Sequence, residues 1–211
     1  MPTRGESRYD SRESTLATYI AAKARFDVAH DQQVPARRAL RRLLAQLPSA
    51  LVTELSQAPG GYIVVRPGPS GYEPETLALG CETLRAVAFM DLDDLVGFRR
   101  TALDAFAGLL DHFLGSRLEP GGRTISGGST ATPGWADFHR RLLAAFALGY
   151  ADEEPARAAP TAYFTWAFAR YCQGHQALAG ADPLAHRLLR STLFSEAFWR
   201  GHPLSESRQP S

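Results

Sequence analysis

Hydrophobic positions gather in one stretch more tightly than elsewhere in the chain. Leu95, Phe98, Ala102, Leu103, Phe106, Leu109, Leu110, Phe113 and Leu114 recur three and four residues apart, which predicts one long helix with a buried face. Gly115 is expected to end it. Asp104, Gly108 and Asp111 fall at helical spacing away from that stripe, so periodicity alone puts them on the solvated side. Gly108 disagrees with that placement, because a mid-helix glycine costs about 1 kcal/mol relative to alanine and commonly reports a close approach or a lost side chain.

Upstream, residues 1–13 are charged and Ser-rich and are expected to be disordered. From Thr15 as N-cap, T-L-A-T-Y-I-A-A-K-A-R-F-D-V-A reads as a helix with Leu16, Tyr19, Ile20 and Val28 inward. Pro35 opens a second helix, whose outer face carries Arg37, Arg38, Arg41 and Arg42. No aromatic residues interleave with these arginines, so the reading is a solvated face rather than an anion or RNA patch. Pro48 begins a short helix that ends in the turn Ala58-Pro59-Gly60-Gly61. Three β-rich runs follow, Tyr62 to Arg66, Thr76 to Leu79 and Leu84 to Met90, which predict a small three-stranded sheet covered by helices.

Beyond the central helix, residues 119–134 are rich in Gly, Ser and Thr. No lysine follows the glycines, so a flexible loop, and a candidate lid, is favoured over a phosphate cradle. Trp135 to Tyr150 is amphipathic and carries His139, read as a hydrogen-bonded packing residue. An acidic loop from Ala151 to Pro160 leads to a helix, Thr161 to Cys172, that is apolar nearly all round and therefore buried. A last helix, Pro183 to Trp199, packs Leu184, Leu188, Leu189, Leu193, Phe194 and Phe198. The expected class is α+β, mostly helical, with one domain over 14–200 and a loose tail over 201–211.

Composition narrows the partners. With 23 basic and 22 acidic residues among 211, the net charge of +1 makes no electrostatic case for nucleic acid or a membrane surface. Cys81 and Cys172 lie far apart in apolar surroundings and read as small buried hydrophobes in a reducing compartment. The N-terminus lacks an apolar core of the signal-peptide kind, and no run approaches the roughly 18 apolar residues of a membrane span. A cytoplasmic location is expected, with leaderless export left open.

The run D-A-F-A-G-L-L-D-H-F-L-G, from Asp104 to Gly115, resembles the metal-binding helix of zincin metalloproteases related to anthrax lethal factor and the Pro-Pro endopeptidases. That family's pattern is H-E-x-x-H-x-x-D-[HD]-x-x-G. Asp111, His112 and Gly115 match it, while Asp104, Ala105 and Gly108 stand at the first zinc histidine, the general base and the second histidine. Two flanking blocks are similar as well. G-Y-E-P-E-T-L-A-L-G, from Gly71 to Gly80, resembles the family's edge strand. P-T-A-Y-F-T-W-A-F-A-R-Y, from Pro160 to Tyr171, resembles its third-ligand helix, with Ala162 at the zinc-ligand glutamate and Trp166 at a second glutamate.

The resemblance implies a zincin-like fold without zinc chemistry, since a catalytic zinc needs three protein ligands and a base for its water. Gly108 and Ala162 have no donor atoms in their side chains, and Ala105 cannot act as a base. No metal and no cofactor are expected. Trp166 would fill the former metal pocket, leaving an apolar cleft lined by Tyr72, Gly108, Ala162 and Trp166. Two functions follow. One is a pseudoenzyme that holds a peptide or protein partner in the old substrate cleft, by strand addition near Gly71 to Leu79. The alternative is a repurposed metal-free enzyme in which Asp104, with Asp111 or His112, does acid/base chemistry on a small molecule.

Overall fold

The computed structural model describes residues 4–204, with side chains from Ser11 onward. Helix α1 (Arg4–Lys23) runs directly into strand β1 (Ala24–Phe26). A 3-10 turn (His30–Gln32) leads into α2 (Gln33–Leu44), and α3 (Ser49–Gln57) follows. Strands β2 (Tyr62–Val65), β3 (Gly71–Leu79) and β4 (Glu82–Met90) complete the sheet. The remainder is helical: α4 (Leu92–Val96), α5 (Arg100–Ser116), α6 (Ala136–Ala147), α7 (Glu154–Ala158), α8 (Pro160–Ala181), α9 (Pro183–Ser191) and α10 (Glu196–Gly201). The chain is therefore α+β and mostly helical, with a small sheet packed on helices.

The sheet has four strands in the order β1-β2-β4-β3, not three. The additional strand, Ala24–Phe26, pairs in parallel with Ile63–Val65 and lies where helical periodicity predicts a continuing helix. Three residues are too few for a strand pattern to be read locally, and the pairing partner lies about forty positions downstream. β2 and β4 are parallel, and β3 runs antiparallel to β4 at the sheet's end, with an irregularity between Glu73 and Thr76. Ile63, Val65, Ala86, Ala88 and Met90 join the main core beneath α5. Val64, Leu84 and Val87 form a second cluster on the opposite face, flanked by Tyr62, Leu77, Leu79 and Phe89.

Several boundaries move for identifiable reasons. α1 begins at Arg4, inside the segment expected to be disordered. Arg12 docks it by donating to the carbonyls of Ala45 and Leu47, and Thr15 is an internal helix residue bonded back to Ser11 O at 3.0 Å, not an N-cap. Residues 1–3 and 205–211 lie outside the described ones. The start of the expected loose tail is packed: Leu204 is buried and the carbonyl of His202 accepts from Trp135 Nε1 at 3.3 Å. The acidic loop contains α7, and the last predicted helix is two, α9 and α10, separated at Thr192–Ser195. α8 kinks at Gly174. Cys81 is exposed in the turn between β3 and β4, contrary to the buried placement expected, while Cys172 is buried and its thiol pKa is pushed up by burial. Among the described residues no helix is long and apolar enough to cross a membrane.

The predicted central helix is also two helices. Phe98 takes a left-handed conformation with φ of +54°, which breaks the run between α4 and α5. Gly115 lies inside α5 and does not end it; Arg117, with φ of +55°, is the left-handed cap. The glycine is there because a loop crosses it. A Cβ on Gly115 would meet Arg123 O at 2.2 Å and Ile125 N at 2.5 Å.

Candidate functional site

α5 is buried on most sides, between the sheet and α8, and this overturns the solvated placement predicted for Asp111 and, under the ring of Tyr72, for Gly108, while Asp104 stays about one-third exposed. Asp111 and His112 are both buried, at 0% and 2% exposure. Gly108 answers to a close approach, as its cost predicts: a Cβ there would meet Tyr72 Cβ at 3.0 Å and Cδ1 at 3.1 Å. The edge strand β3 thus lays the Tyr72 ring directly on the helix backbone. From there Tyr72 Oη bonds His112 Nδ1 at 2.5 Å, and His112 Nε2 lies 3.2 Å from the Glu119 carbonyl. A carbonyl only accepts, so Nε2 carries the proton and Nδ1 accepts from the phenol. Burial keeps the imidazole pKa below its usual value and the Tyr72 pKa above its own.

Asp111, one residue earlier, points elsewhere. Its Oδ1 accepts from Ser126 N at 2.9 Å and its Oδ2 from Ser126 Oγ at 2.5 Å, while Ser126 Oγ also lies 2.9 Å from Thr161 Oγ1 on α8. Burial pushes the Asp111 carboxyl up to about 6, against the pull of the Ser126 hydrogen bonds. The residue ties loop 117–132 to two helices at once. Ser129 Oγ to Gly115 O at 2.9 Å and Ala131 N to Leu114 O at 2.9 Å add to the same seam. The segment read as a flexible loop or lid is accordingly held along its length.

Asp104 lies two turns earlier. Arg100 Nε donates to its Oδ2 at 3.1 Å, an (i, i+4) ion pair between half-buried partners. Arg100 also pairs with Glu153, which lies 3.7 Å from Arg170; Arg170 pairs with Asp152 at 2.5 Å and sits over the Trp166 ring at 5.9 Å. Burial raises the Asp104 carboxyl pKa, and Arg100 opposes the rise. Two shielded atoms near this network lack a hydrogen-bond partner, the acceptor Asp104 Oδ1 and the donor Trp166 Nε1. Trp166 is 0% exposed and stacks on Tyr163, with 5.7 Å between ring centroids.

The predicted site residues are thus distributed over three places. Tyr72, Gly108 and His112 meet, but as a filled contact in which the tyrosine occupies the space above the glycine. Asp111 is joined to a loop and to α8. Asp104 belongs to a partly exposed ion-pair network that leads to Trp166, and Ala162 is half-buried at the start of α8. Gly108 and Ala162 offer a metal nothing, and among the described residues no group of three or more His, Cys, Asp or Glu side chains is placed to hold one. His139, expected to be hydrogen-bonded, has a shielded Nδ1 without a partner.

Sequence reasoning passed over Ser126, Thr161, Arg100 and Glu153. Only Arg100 had a local signal, its (i, i+4) spacing from Asp104; the others arrive from distant parts of the chain. No family model and no curated protein matches this sequence.

Proposed function

We propose that the chain is a non-catalytic binding protein on a zincin-like scaffold, and that it captures an extended peptide segment along the outer edge of β3. The observation that carries this is the edge itself. β3 is nine residues long, antiparallel to β4, and ends the sheet, so its far side has backbone groups without a strand partner. Pro74 and the irregularity between Glu73 and Thr76 interrupt it, leaving Thr76–Leu79 as the regular stretch on which a strand can pair. A groove of about 450 Å³ runs beside it, lined by Arg66, Tyr72, Leu77, Leu79 and Phe89 among others. In an added strand every second side chain turns toward one face, and this groove would receive them.

The scaffold reading is supported by an antiparallel edge strand lying on the helix that carries Gly108, Asp111, His112 and Gly115. A cytoplasmic setting belongs to the same proposal. The acid/base alternative is less favoured, because Asp111 is engaged by Ser126 and His112 by Tyr72 and Glu119, leaving Asp104 without either.

Selection of random linear peptides displayed on phage, followed by amide chemical-shift mapping of the enriched sequences, tests the proposal. Perturbations confined to Gly71–Leu79 and the groove, with binding lost in Leu77→Asp, are expected. Enrichment of nothing, or of peptides that perturb other surfaces, would refute it.

A further inference from the structure

The four arginines of α2 have no part in that reading, and the structure gives them a setting. α1 and α2 are antiparallel neighbours, joined by the ion pair Glu13–Arg41 at 3.4 Å and by Arg12 on the carbonyls of Ala45 and Leu47. Between them runs a groove of about 360 Å³, with Ala17, Ile20, Ala21 and Val34 as its apolar lining and Arg37, Arg38 and Arg41 along its rim. Val34 is 65% exposed, an unusual position for a β-branched aliphatic side chain. Small residues at Ala17 and Ala21, one turn apart on α1, keep the furrow shallow enough for another backbone to come close.

Charge decides what fits. α2 contains four arginines and no acid, and Arg42 is turned away, donating to Val96 O at 2.8 Å and stacking on Phe98. The guanidinium of Arg37 lies over the Phe26 ring, 4.5 Å from its centroid, and the residue as a whole is exposed, so its charge is held in place beside the groove. Arg38 has no acidic partner among the described residues. A single-stranded nucleic acid would need rings on which bases stack, and a duplex would leave the apolar floor of the groove unused; the lining is aliphatic and arginine. An amphipathic helix fits both parts: an apolar ridge at i, i+3, i+4 and i+7 enters the furrow, and acidic residues flanking it meet the arginines.

We infer that the α1–α2 groove is a docking site for an acidic amphipathic helix of a partner protein. The site is independent of the β3 edge and shares no residue with it.

The test is selection from a helix-biased peptide library on the intact protein, counter-selected on Val34→Asp. Affinity is then measured by fluorescence anisotropy against wild type, Val34→Asp and the double variant Arg38→Glu/Arg41→Glu, all checked for an unchanged melting temperature. Enriched helices should carry Asp or Glu beside an apolar i, i+3, i+4 ridge and should lose about tenfold or more in affinity in each variant. Reversing the acidic flanks of the peptide to lysine should restore binding to the double variant. The inference fails if no helix is enriched, or if enriched helices show no acidic bias or bind the variants as well as wild type. It also fails if a poly-uridine oligonucleotide or a phosphatidylserine vesicle binds in an Arg38- and Arg41-dependent way while the helices do not.

Discussion

The two halves of α5 carry carboxylates in opposite states. In the C-terminal half, Asp111 is fully buried and both its oxygens are engaged, one by a backbone N–H and one by a hydroxyl. In the N-terminal half, Asp104 is about one-third exposed, bound through one oxygen to Arg100, and its other oxygen is shielded without a partner. A buried carboxylate is tolerated where hydrogen bonds replace the water it loses, and such a group organises structure. An incompletely satisfied one beside ion pairs contributes little to stability and is freer to change. The first kind anchors a loop in this molecule; the second holds an ion pair at the helix's N-terminal end.

The largest expected effect comes from the C-terminal half. Gly115→Ala places a methyl group against the backbone of residues 123–125, where no flexible side chain can give way. The seam between α5 and the loop must open, and urea denaturation should show a loss of more than about 3 kcal/mol. A wild-type midpoint in this variant would mean that the loop is not held as described.

Next in size is the pH response of Asp111. Its folded pKa, about 6, lies above the unfolded value, so its contribution is fullest below about pH 4 and declines as pH rises through 6. His112 acts in the opposite sense: its folded pKa is depressed, so its contribution is present at neutral pH and is lost as pH falls through the unfolded value near about 6.5. Asp111→Asn keeps an acceptor for Ser126 and removes the charge. Relative to wild type, the variant should gain stability between about pH 4 and 7, by about 3 kcal/mol at most, and its own profile should retain only the acid-side loss due to His112 and the other titrating groups. Parallel wild-type and variant curves would contradict the buried charge.

The smallest effect is expected at Asp104. The ion pair with Arg100 is partly exposed and a pair of that kind is worth little, so Asp104→Asn should change stability by no more than about 0.5 kcal/mol. A loss several times larger, by thermal or chemical denaturation, would erase the contrast between the two halves.

Much of the architecture was legible in the chain. The spacing of Leu103, Phe106, Leu109, Leu110 and Phe113 predicts α5, and the β-branched run Tyr62–Val65 predicts β2, because each signal lies within a few consecutive residues. Gly108 announced a close approach without saying of what. The site was less readable: Ser126 and Thr161 reach Asp111 from 15 and, through the serine, 50 positions away, and nothing near Asp111 indicates them.

By itself, then, the sequence determined the class of the fold, the identity of its buried helices and the absence of metal donors at Gly108 and Ala162, since all three depend on local periodicity or on side-chain chemistry. Tertiary structure alone decided that Ala24–Phe26 is a strand, that Asp111 faces inward and that Tyr72 occupies the space over Gly108. Each of those outcomes depends on a partner brought in from a distant segment, and pairing at a distance leaves no period in the chain that could announce it.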